Sequence, residues 1–522
     1  MAAPTRPAER LALRLLTAAD ALSNRLYESR FNPLYQSGTI VVALYLVLLV
    51  TGLWLVLFYR VGAPWESVAR VTANPWAGNW VRGLHRYASD LAVAATMVHA
   101  FRMFAQGRSW GARTLAWVSG GVLLLLLLAC GWTGYVMVWD TFGEHLARES
   151  ARMLDALPVL SEPTSRAFTG EQPLPTAFFF LALFAHIGIP LAMGVAFWLH
   201  VKRLARPMLL PPRPLMWAVV GGLTALAVVW PLKMAPKANP FVLPAEVPAD
   251  LFFAFWIPLA RTMSGGMALL LMTGLTAALV LVPLFAARRG SAAPPSKVDE
   301  DICVGCVQCS LDCPYGAITM FERSNGRSDL VARVDPDLCV SCGICSGSCP
   351  PMGVGPPGRT GRDQMAHVRQ FLAAPERAAG EIVVICCGHG AGRFAGELAA
   401  RGAVPYRVNC AGNLHTSVIE MLLRGGAGGV LVLACPPRDC WNREGPRWLT
   451  ERVYHAREAE LQSRVDRARV RIVSANAIER SLTFEAFGRF AAEIVALGAP
   501  RIGGTGDEEL ECEPVAAKGG HP

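Results

Sequence analysis

The amino-acid sequence predicts three structural parts in one chain: a membrane all-α helical bundle of about six spans, a small α+β domain, and an α/β domain with a parallel sheet. Long apolar runs recur up to residue 288 and are long enough to cross a bilayer. Two dense runs of cysteine follow between residues 303 and 349. After residue 380, short β-branched runs alternate with helical stretches, which is typical of a parallel sheet with crossover helices.

Composition separates an apolar part of the chain from a cysteine-rich part. Of the 522 residues, 53% are hydrophobic and 17% are charged, which is apolar for a soluble protein. The net charge of +9 is modest, and no basic block with interleaved aromatic residues indicates a nucleic-acid partner. Thirteen of the fifteen cysteines cluster between residues 303 and 440, which indicates metal ligation in a reducing compartment rather than a disulfide framework.

Six apolar runs are predicted to span the membrane, and the fifth is the shortest. They cover residues 38–59, 80–104, 112–139, 176–204, 214–232 and 263–287. Positive residues follow the second, fourth and sixth runs, so the positive-inside rule places both termini and the cysteine clusters in the cytoplasm. Residues 1–34 are Arg-rich without a cleavable signal pattern, and we interpret them as a surface helix.

Two histidine pairs mark the second and fourth apolar runs. His85 and His99 are 14 residues apart, and so are His186 and His200. Fourteen residues are close to four helical turns, so the two histidines of a helix share one face and lie roughly 21 Å apart along its axis. Ionisable residues inside a span are rare and favour function over packing. Two such helices facing each other predict two bis-histidine haem sites, one near each membrane face.

Glycines at the same spacing support this interpretation. Gly38 and Gly52 lie in the first run, and Gly120 and Gly134 lie in the third. A flat macrocycle between helices needs positions where a neighbouring helix carries no side chain. Glycine is also common in membrane helices for packing alone, which is the alternative explanation.

This region resembles the cytochrome b of quinol–cytochrome c oxidoreductases and their photosynthetic relatives. The matching residues are Arg82-Gly-Leu-His85, His99-Ala-Phe-Arg102 and the run from Gly134 to Trp139. The resemblance implies a dihaem four-helix bundle over residues 35–210, with His85 paired to His186 and His99 to His200. It also implies that Arg82 and Arg102 meet haem propionates.

A second resemblance to the same family lies in residues 211–290, where two further spans flank a loop. The run Ala-Asn-Pro-Phe-Val-Leu-Pro from Ala238 resembles the start of the family's quinol-oxidation region. The family continues with Pro-Glu-Trp-Tyr, whereas this chain has Pro-Ala-Asp-Leu at residues 248–251. Asp250 is therefore the candidate proton acceptor of a quinone site, with a solvated loop carboxylate as the alternative.

The most specific motif follows a Pro- and Ser-containing linker at residues 291–300, in the domain at residues 301–358. The spacing C-x2-C-x2-C-x3-C-P occurs twice, at Cys303, Cys306, Cys309 and Cys313, and at Cys339, Cys342, Cys345 and Cys349. This is the run of bacterial two-cluster ferredoxins, in which the fourth cysteine of each run serves the other cluster. We expect two 4Fe–4S clusters. Zinc bound by some C-x-x-C pairs is the alternative.

Residues 378–498 form the predicted α/β domain, with strands at Glu381–Ile385, Tyr406–Asn409, Gly429–Ala434 and Val470–Ser474. Cysteines follow the first three strands, where parallel sheets place ligands. They are Cys386, Cys387, Cys410, Cys435 and Cys440. The tail at residues 499–522 is predicted to be disordered.

The runs Gly428–Cys440 and Val408-Asn-Cys410-Ala-Gly resemble the delta subunit of methyl-viologen-reducing hydrogenases. The resemblance implies a 2Fe–2S cluster and electron exchange with a flavoprotein of the heterodisulfide-reductase type. The family's first motif is C-x-x-C, but the chain has a glycine at position 390, so Cys386 is an alternative ligand. Structural cysteines in an α/β core are the competing interpretation.

The main functional hypothesis is a quinone-linked oxidoreductase subunit of the bacterial inner membrane that works as a redox wire. Electrons move between a cytoplasmic flavoprotein, which docks on the C-terminal domain, and quinone in the membrane lipid, through the clusters and two b-type haems. One alternative is a haem-containing anchor of a hydrogenase or formate dehydrogenase, and another is a disulfide reductase. A homodimer is left open.

Overall fold

The chain was analysed as a computed structural model that describes residues 7–27, 31–110, 113–157, 163–168, 174–202, 205–239, 241, 250–286, 293–323, 327, 329–374, 380–437 and 439–498. The predicted tail and most of the quinol-site-like loop, at residues 242–249, lie outside this set.

Helices form the whole described N-terminal part up to residue 286. They are α1 (Pro7–Ser23), α2 (Ser37–Val56), α3 (Pro64–Ala73), α4 (Gly78–Ala105), α5 (Thr114–Val138), α6 (Thr141–Leu154), α7 (Thr176–Val201), α8 (Arg213–Val229), α9 (Ile257–Ala260), α10 (Gly265–Val280) and α11 (Val282–Ala286). Helix α2 packs along α4, and α5 packs along α7, so the four long helices form two antiparallel pairs of one bundle. Helix α8 packs on the outside of α4, and α10 lies against α5 and α6.

Three helices of the described chain, α2, α5 and α7, are long and apolar enough to cross a membrane. The prediction of six spans is confirmed to that extent only. Helix α4 has 28 residues but is more polar than these three, because it carries arginines and an aspartate. The fifth and sixth predicted spans correspond to apolar helices of 17 and 16 residues, which are shorter than the roughly 20 residues that a bilayer needs.

The cysteine-run domain is built from short antiparallel pairs. Its elements are β1 (Lys297–Val298), α12 (Gln308–Leu311), β2 (Ile318–Glu322), β3 (Leu330–Val334), α13 (Ile344–Gly347) and β4 (Val354–Gly355). Strand β1 pairs with β4, and β2 pairs with β3, both antiparallel. Each of the two short helices begins just before the third cysteine of its run, so both runs wrap the chain in the same way.

The C-terminal domain has the predicted parallel sheet. Its elements are α14 (Gly361–Leu372), β5 (Ile382–Cys387), α15 (Ala395–Ala399), β6 (Ala403–Val408), α16 (Thr416–Arg424), β7 (Gly429–Ala434), α17 (Gly445–Tyr454), β8 (Val470–Ser474) and α18 (Arg480–Leu497). The strand order is β6-β5-β7-β8, and all neighbours are parallel. Strands β5 and β7 are buried along their whole length, as expected for the centre of a sheet covered on both faces.

Candidate metal centres

The two histidine pairs lie on facing helices of the bundle. His85 on α4 and His186 on α7 have ring centroids 6.3 Å apart, with the rings inclined at 53°. An imidazole nitrogen lies about 2 Å from a bound metal, so two imidazoles on opposite sides of one iron have ring centres roughly 6 Å apart. At the other end of the bundle, His99 on α4 and His200 on α7 are close enough for their charges to interact. The residues at the first level therefore fit a flat porphyrin whose iron binds both rings.

Hydroxyl groups orient three of the four histidines. The Nδ1 atoms and their hydroxyl partners are His85 with Thr51 at 2.8 Å, His186 with Thr133 at 3.0 Å, and His200 with Ser119 at 3.1 Å. Each hydroxyl donates to a carbonyl of its own helix, so its lone pair accepts the Nδ1 proton. Nε2 then keeps the lone pair that binds iron, as expected for metal-ligating histidines.

Each predicted glycine lies against one histidine ring. A Cβ atom would lie 2.9 Å from the His99 ring at Gly38, 3.4 Å from the His85 ring at Gly52, 3.2 Å from the His200 ring at Gly120, and 3.1 Å from the His186 ring at Gly134. The glycines therefore make room for the imidazoles themselves. Sequence reasoning missed the hydroxyl residues, although a Ser or Thr precedes each of the four glycines and could have been found from that pairing.

The eight cysteines of the two runs line two separate cavities. One cavity is lined by Cys303, Cys306, Cys309 and Cys349, and the other by Cys313, Cys339, Cys342 and Cys345. The structure thus groups the cysteines as the two-cluster spacing predicts, with the fourth member of each run in the cavity of the other run. Cys306 is the only exposed member of the eight described cysteines.

Backbone groups of the two cysteine runs adopt equivalent conformations. The N–H of Ala317 points to Cys313 Sγ and that of Gly353 to Cys349 Sγ, both at 3.3 Å. Left-handed residues occur at the same places in both runs, 36 residues apart: Gly305 and Ser341, Val307 and Gly343, and Gly316 and Met352. Such turns aim successive N–H groups into the cavity, where they favour negatively charged sulfur.

Four cysteines of the C-terminal domain meet at the carboxyl edge of its sheet. Cys387 ends β5, Cys410 follows β6, and Cys435 follows β7, with Cys440 in the same loop. The sulfurs of Cys387 and Cys435 are 3.7 Å apart. Hydrogen bonds from the thiols of Cys410 and Cys435 hold the pKa of the Cys387 thiol well below its ordinary value. Cys440 and Cys435 are also hydrogen-bonded to each other. Four cysteines are the number of ligands that a 2Fe–2S cluster takes, so these four are the candidate ligands of the predicted cluster.

Cys386 lies on the other side of the sheet from these four sulfurs. Successive side chains of a strand point to opposite faces. Cys387 packs in the core with Cys435 and Cys440, whereas Cys386 packs with Ala391 and Phe394 on the opposite face. The structure therefore does not bring Cys386 to the group formed by Cys387, Cys410, Cys435 and Cys440.

Comparison with known proteins bears out three of the resemblances, whereas the second cytochrome b resemblance, in residues 211–290, lies outside the matched ranges and stays a prediction. Residues 22–208 match the family model described as cytochrome b/b6/petB. We refer to these matched residues as the cytochrome b region. Residues 302–352 match the 4Fe–4S dicluster domain, and residues 382–498 match the delta subunit of methyl-viologen-reducing hydrogenase. A solved chain titled "Hyperthermophilic respiratory Complex III" is also similar, at 17% identity and a TM-score of 0.40 over 53% of this chain and 81% of that chain.

The three family-model matches support a role in membrane electron transfer, with haem implied by the first and iron–sulfur clusters by the other two. When bound, these groups supply one-electron redox chemistry, and the chain supplies ligands, orientation and burial that tune their potentials. The residues above fit both kinds of group: imidazoles for haem iron and cysteine sulfurs for clusters.

The two arginines expected at haem propionates have different partners in the cytochrome b region. Arg82 lies near Asp140 and donates to the carbonyl of Leu232 at 3.4 Å, so a propionate contact stays a prediction. Arg102 is 3% exposed and forms ion pairs with Asp20 at 2.7 Å and with Asp439 of the delta-subunit-like domain at 2.9 Å. Both sides of its guanidinium are thus occupied by carboxylates. Arg102 therefore joins two regions of the chain, and its contact with a haem propionate stays a prediction.

Asp250 is a carboxylate whose two oxygens both accept hydrogen bonds, in the turn that precedes α9. Its Oδ1 accepts from the N–H groups of Phe252 and Phe253 at 2.8 and 2.6 Å, and its Oδ2 accepts from Arg86 at 2.5 Å and from the Tyr135 hydroxyl. Burial raises its pKa, but these hydrogen bonds and Arg86 outweigh burial and hold the pKa below its ordinary value. A carboxylate in this state is a structural anion, which does not favour the predicted role as a proton acceptor.

Proposed function

We propose that the chain carries electrons between a soluble redox partner and quinone, through three iron–sulfur clusters and two b-type haems. The observation that carries the proposal is the continuity of ligand sites across the molecule. Cysteine groups in two domains adjoin the bundle end that holds His99 and His200, and His85 and His186 occupy the other end. A quinone at a haem edge then exchanges electrons and protons with the wire.

The orientation of this electron path in the membrane follows from the predicted topology. The positive-inside rule places the iron–sulfur domains in the cytoplasm of a bacterial cell, so His99 and His200 hold the haem nearer the cytoplasm. A flavoprotein of the heterodisulfide-reductase type is the proposed soluble partner, on the strength of the delta-subunit-like domain. The disulfide-reductase alternative is less well supported, because Cys386 and Cys387 pack on opposite faces of the sheet.

The test uses the purified full-length protein in detergent under anaerobic conditions. A reduced two-cluster ferredoxin serves as the donor, since a protein of that size does not enter the bundle. We expect absorption bands of two low-spin b haems that become reduced through the clusters and are reoxidised by added quinone. Protein with clusters but without haem, or ferrous haem that quinone does not reoxidise, would contradict the proposal.

A further inference from the structure

Both neighbours of Cys440 bind the cytochrome b region. Asp439 pairs with Arg102 and accepts a hydrogen bond from Gln106 at 2.7 Å. Trp441 lies against the segment between α4 and α5, with Arg108 and Arg113 guanidinium carbons 5.1 and 5.4 Å from its ring centroid. Arg113 also donates to the Trp441 carbonyl at 2.7 Å. One cysteine of the sheet-edge group is thus held on both sides by the bundle.

The bundle residues involved lie directly beyond a haem ligand. Arg102 follows His99 by three residues, less than one turn, on the same helix α4. Arg102 and its partner Asp20 from α1 are almost fully buried, and the side chain of Asp439 is 10% exposed. A buried charge without a partner is strongly destabilising, so this triad fixes the Cys440 loop to the end of α4. Asn476 adds a further tie by donating to Asp439 at 2.9 Å and to the Tyr35 hydroxyl at 2.8 Å.

Another loop of the same cysteine group touches the ferredoxin domain. Asn413, three residues after Cys410, donates to the carbonyl of Gly343 at 2.9 Å, and Gly412 packs against Ile344. Gly343 and Ile344 lie between Cys342 and Cys345 in the run. The cysteine group at the sheet edge therefore lies between one ferredoxin cavity and the haem-ligand helix, while exposed Cys306 belongs to the other cavity.

We propose that Asp439 and Trp441 are positioning residues that seat the sheet-edge cysteines on α4, so that this group is the last cluster site before the haem site of His99 and His200. This inference rests on the proposed function and adds the order in which electrons pass its cluster and haem sites. A soluble donor then delivers electrons at the cavity of exposed Cys306, whereas docking of the flavoprotein on the delta-subunit-like domain stays a prediction. One electron leaves the cluster held by the sheet-edge cysteines and reduces ferric haem iron to ferrous iron; no bond forms and no proton moves.

The experiment compares Asp439→Asn and Trp441→Leu with Glu397→Gln. Glu397 is a matched control because it pairs with Arg480 on an exposed surface of the same domain. Hydrogen exchange of residues 105–110 and 439–445 is measured first, in full-length protein. Asp439→Asn removes an ion pair with Arg102, and Trp441→Leu removes the ring that Arg108 and Arg113 contact. We therefore expect roughly tenfold faster exchange in both junction variants and the wild-type rate of exchange in the control.

Rapid mixing with reduced two-cluster ferredoxin gives the second measurement. We expect cluster reduction, followed by freeze-quench paramagnetic resonance, to keep its wild-type rate, while haem reduction slows at least roughly tenfold in both junction variants. Haem reduction at the wild-type rate in both, or in a Cys440→Ser protein that lacks the C-terminal cluster, would overturn the inference. Failure of the wild-type protein to reduce its haems would instead count against the proposed function.

Discussion

The cytochrome b region and the C-terminal sheet domain gather their metal ligands in opposite ways. In the bundle, one helix supplies two ligands at a fixed period, and glycines of a neighbouring helix open the space beside each ring. In the sheet domain, each strand end supplies its ligands separately, and residues far apart in the sequence meet at one edge. Periodicity therefore exposes the first kind of site in the sequence, whereas the second kind depends on strand register.

The largest expected effect tests the sheet edge by comparing two adjacent cysteines. Cys387→Ser should abolish the C-terminal cluster, because the Cys387 sulfur bonds two other members of the group. Cys386→Ser should keep the cluster, because its side chain packs on the opposite face. Iron content and the paramagnetic resonance signal of the reduced protein measure both. Equal loss in the two variants would show that the ligand set is not the one seen here.

The next effect tests the period of the bundle. Gly38→Val should remove the haem held by His99 and His200, since even a Cβ atom would lie 2.9 Å from the His99 ring. Gly194→Val on α7 is the control, because no atom lies within 4 Å of a Cβ placed there. Haem content per protein, from the pyridine haemochromogen spectrum, should fall by about half in the first variant only. Unchanged content in Gly38→Val would break the link between the glycines and the haem sites.

A smaller effect should come from the hydroxyl groups behind the histidines. Thr51→Val removes the acceptor of the His85 Nδ1 proton, which makes the imidazole a weaker donor to ferric iron. We expect both haems to be retained and the midpoint potential of the affected haem to rise by about 20–40 mV. Thr224→Val is the control, since that hydroxyl bonds only the Val220 carbonyl of its own helix. Redox titration of the haem bands that shows no shift, or a downward one, would contradict the tautomer assigned here.

The smallest effect concerns Asp250. Because its pKa is lowered in the folded protein, its ionic bonds contribute stability above the ordinary aspartate pKa and lose it only as pH falls through the folded value. We expect Asp250→Asn to lower stability by about 1–3 kcal/mol in thermal melts, without changing the pH profile of quinone reduction between about pH 5 and pH 8. Glu300→Gln, at an exposed side chain, is the reference. A profile whose titration disappears in Asp250→Asn would restore the proton-acceptor role.

The sequence predicts those parts of the sites that depend on local spacing. The cysteine runs predict how the eight cysteines divide between two cavities, and the 14-residue periods predict that the rings of His85 and His186 lie against each other. Two of the four strands of the parallel sheet, Gly429–Ala434 and Val470–Ser474, also have the predicted bounds.

The sequence analysis did not predict the binding partners of side chains that contact residues far away in the chain. Asp250 is fixed by Arg86 and Tyr135, which lie 164 and 115 residues away. Arg102 follows a haem ligand in the sequence, yet its charge is matched by Asp439 of the last domain. Pattern alone does not reveal such pairings, because nothing local distinguishes an arginine that meets a propionate from one that meets a carboxylate.

Closure of the sheet-edge cysteines under the membrane region also constrains how the protein is made. All four cysteine residues are at most 4% exposed. Asp439 and Trp441 bind the loop that carries Cys440 to the bundle. A scaffold that donates iron and sulfide reaches them only while that loop is off the bundle. A cluster held by these cysteines would therefore have to be assembled before that loop docks on the bundle.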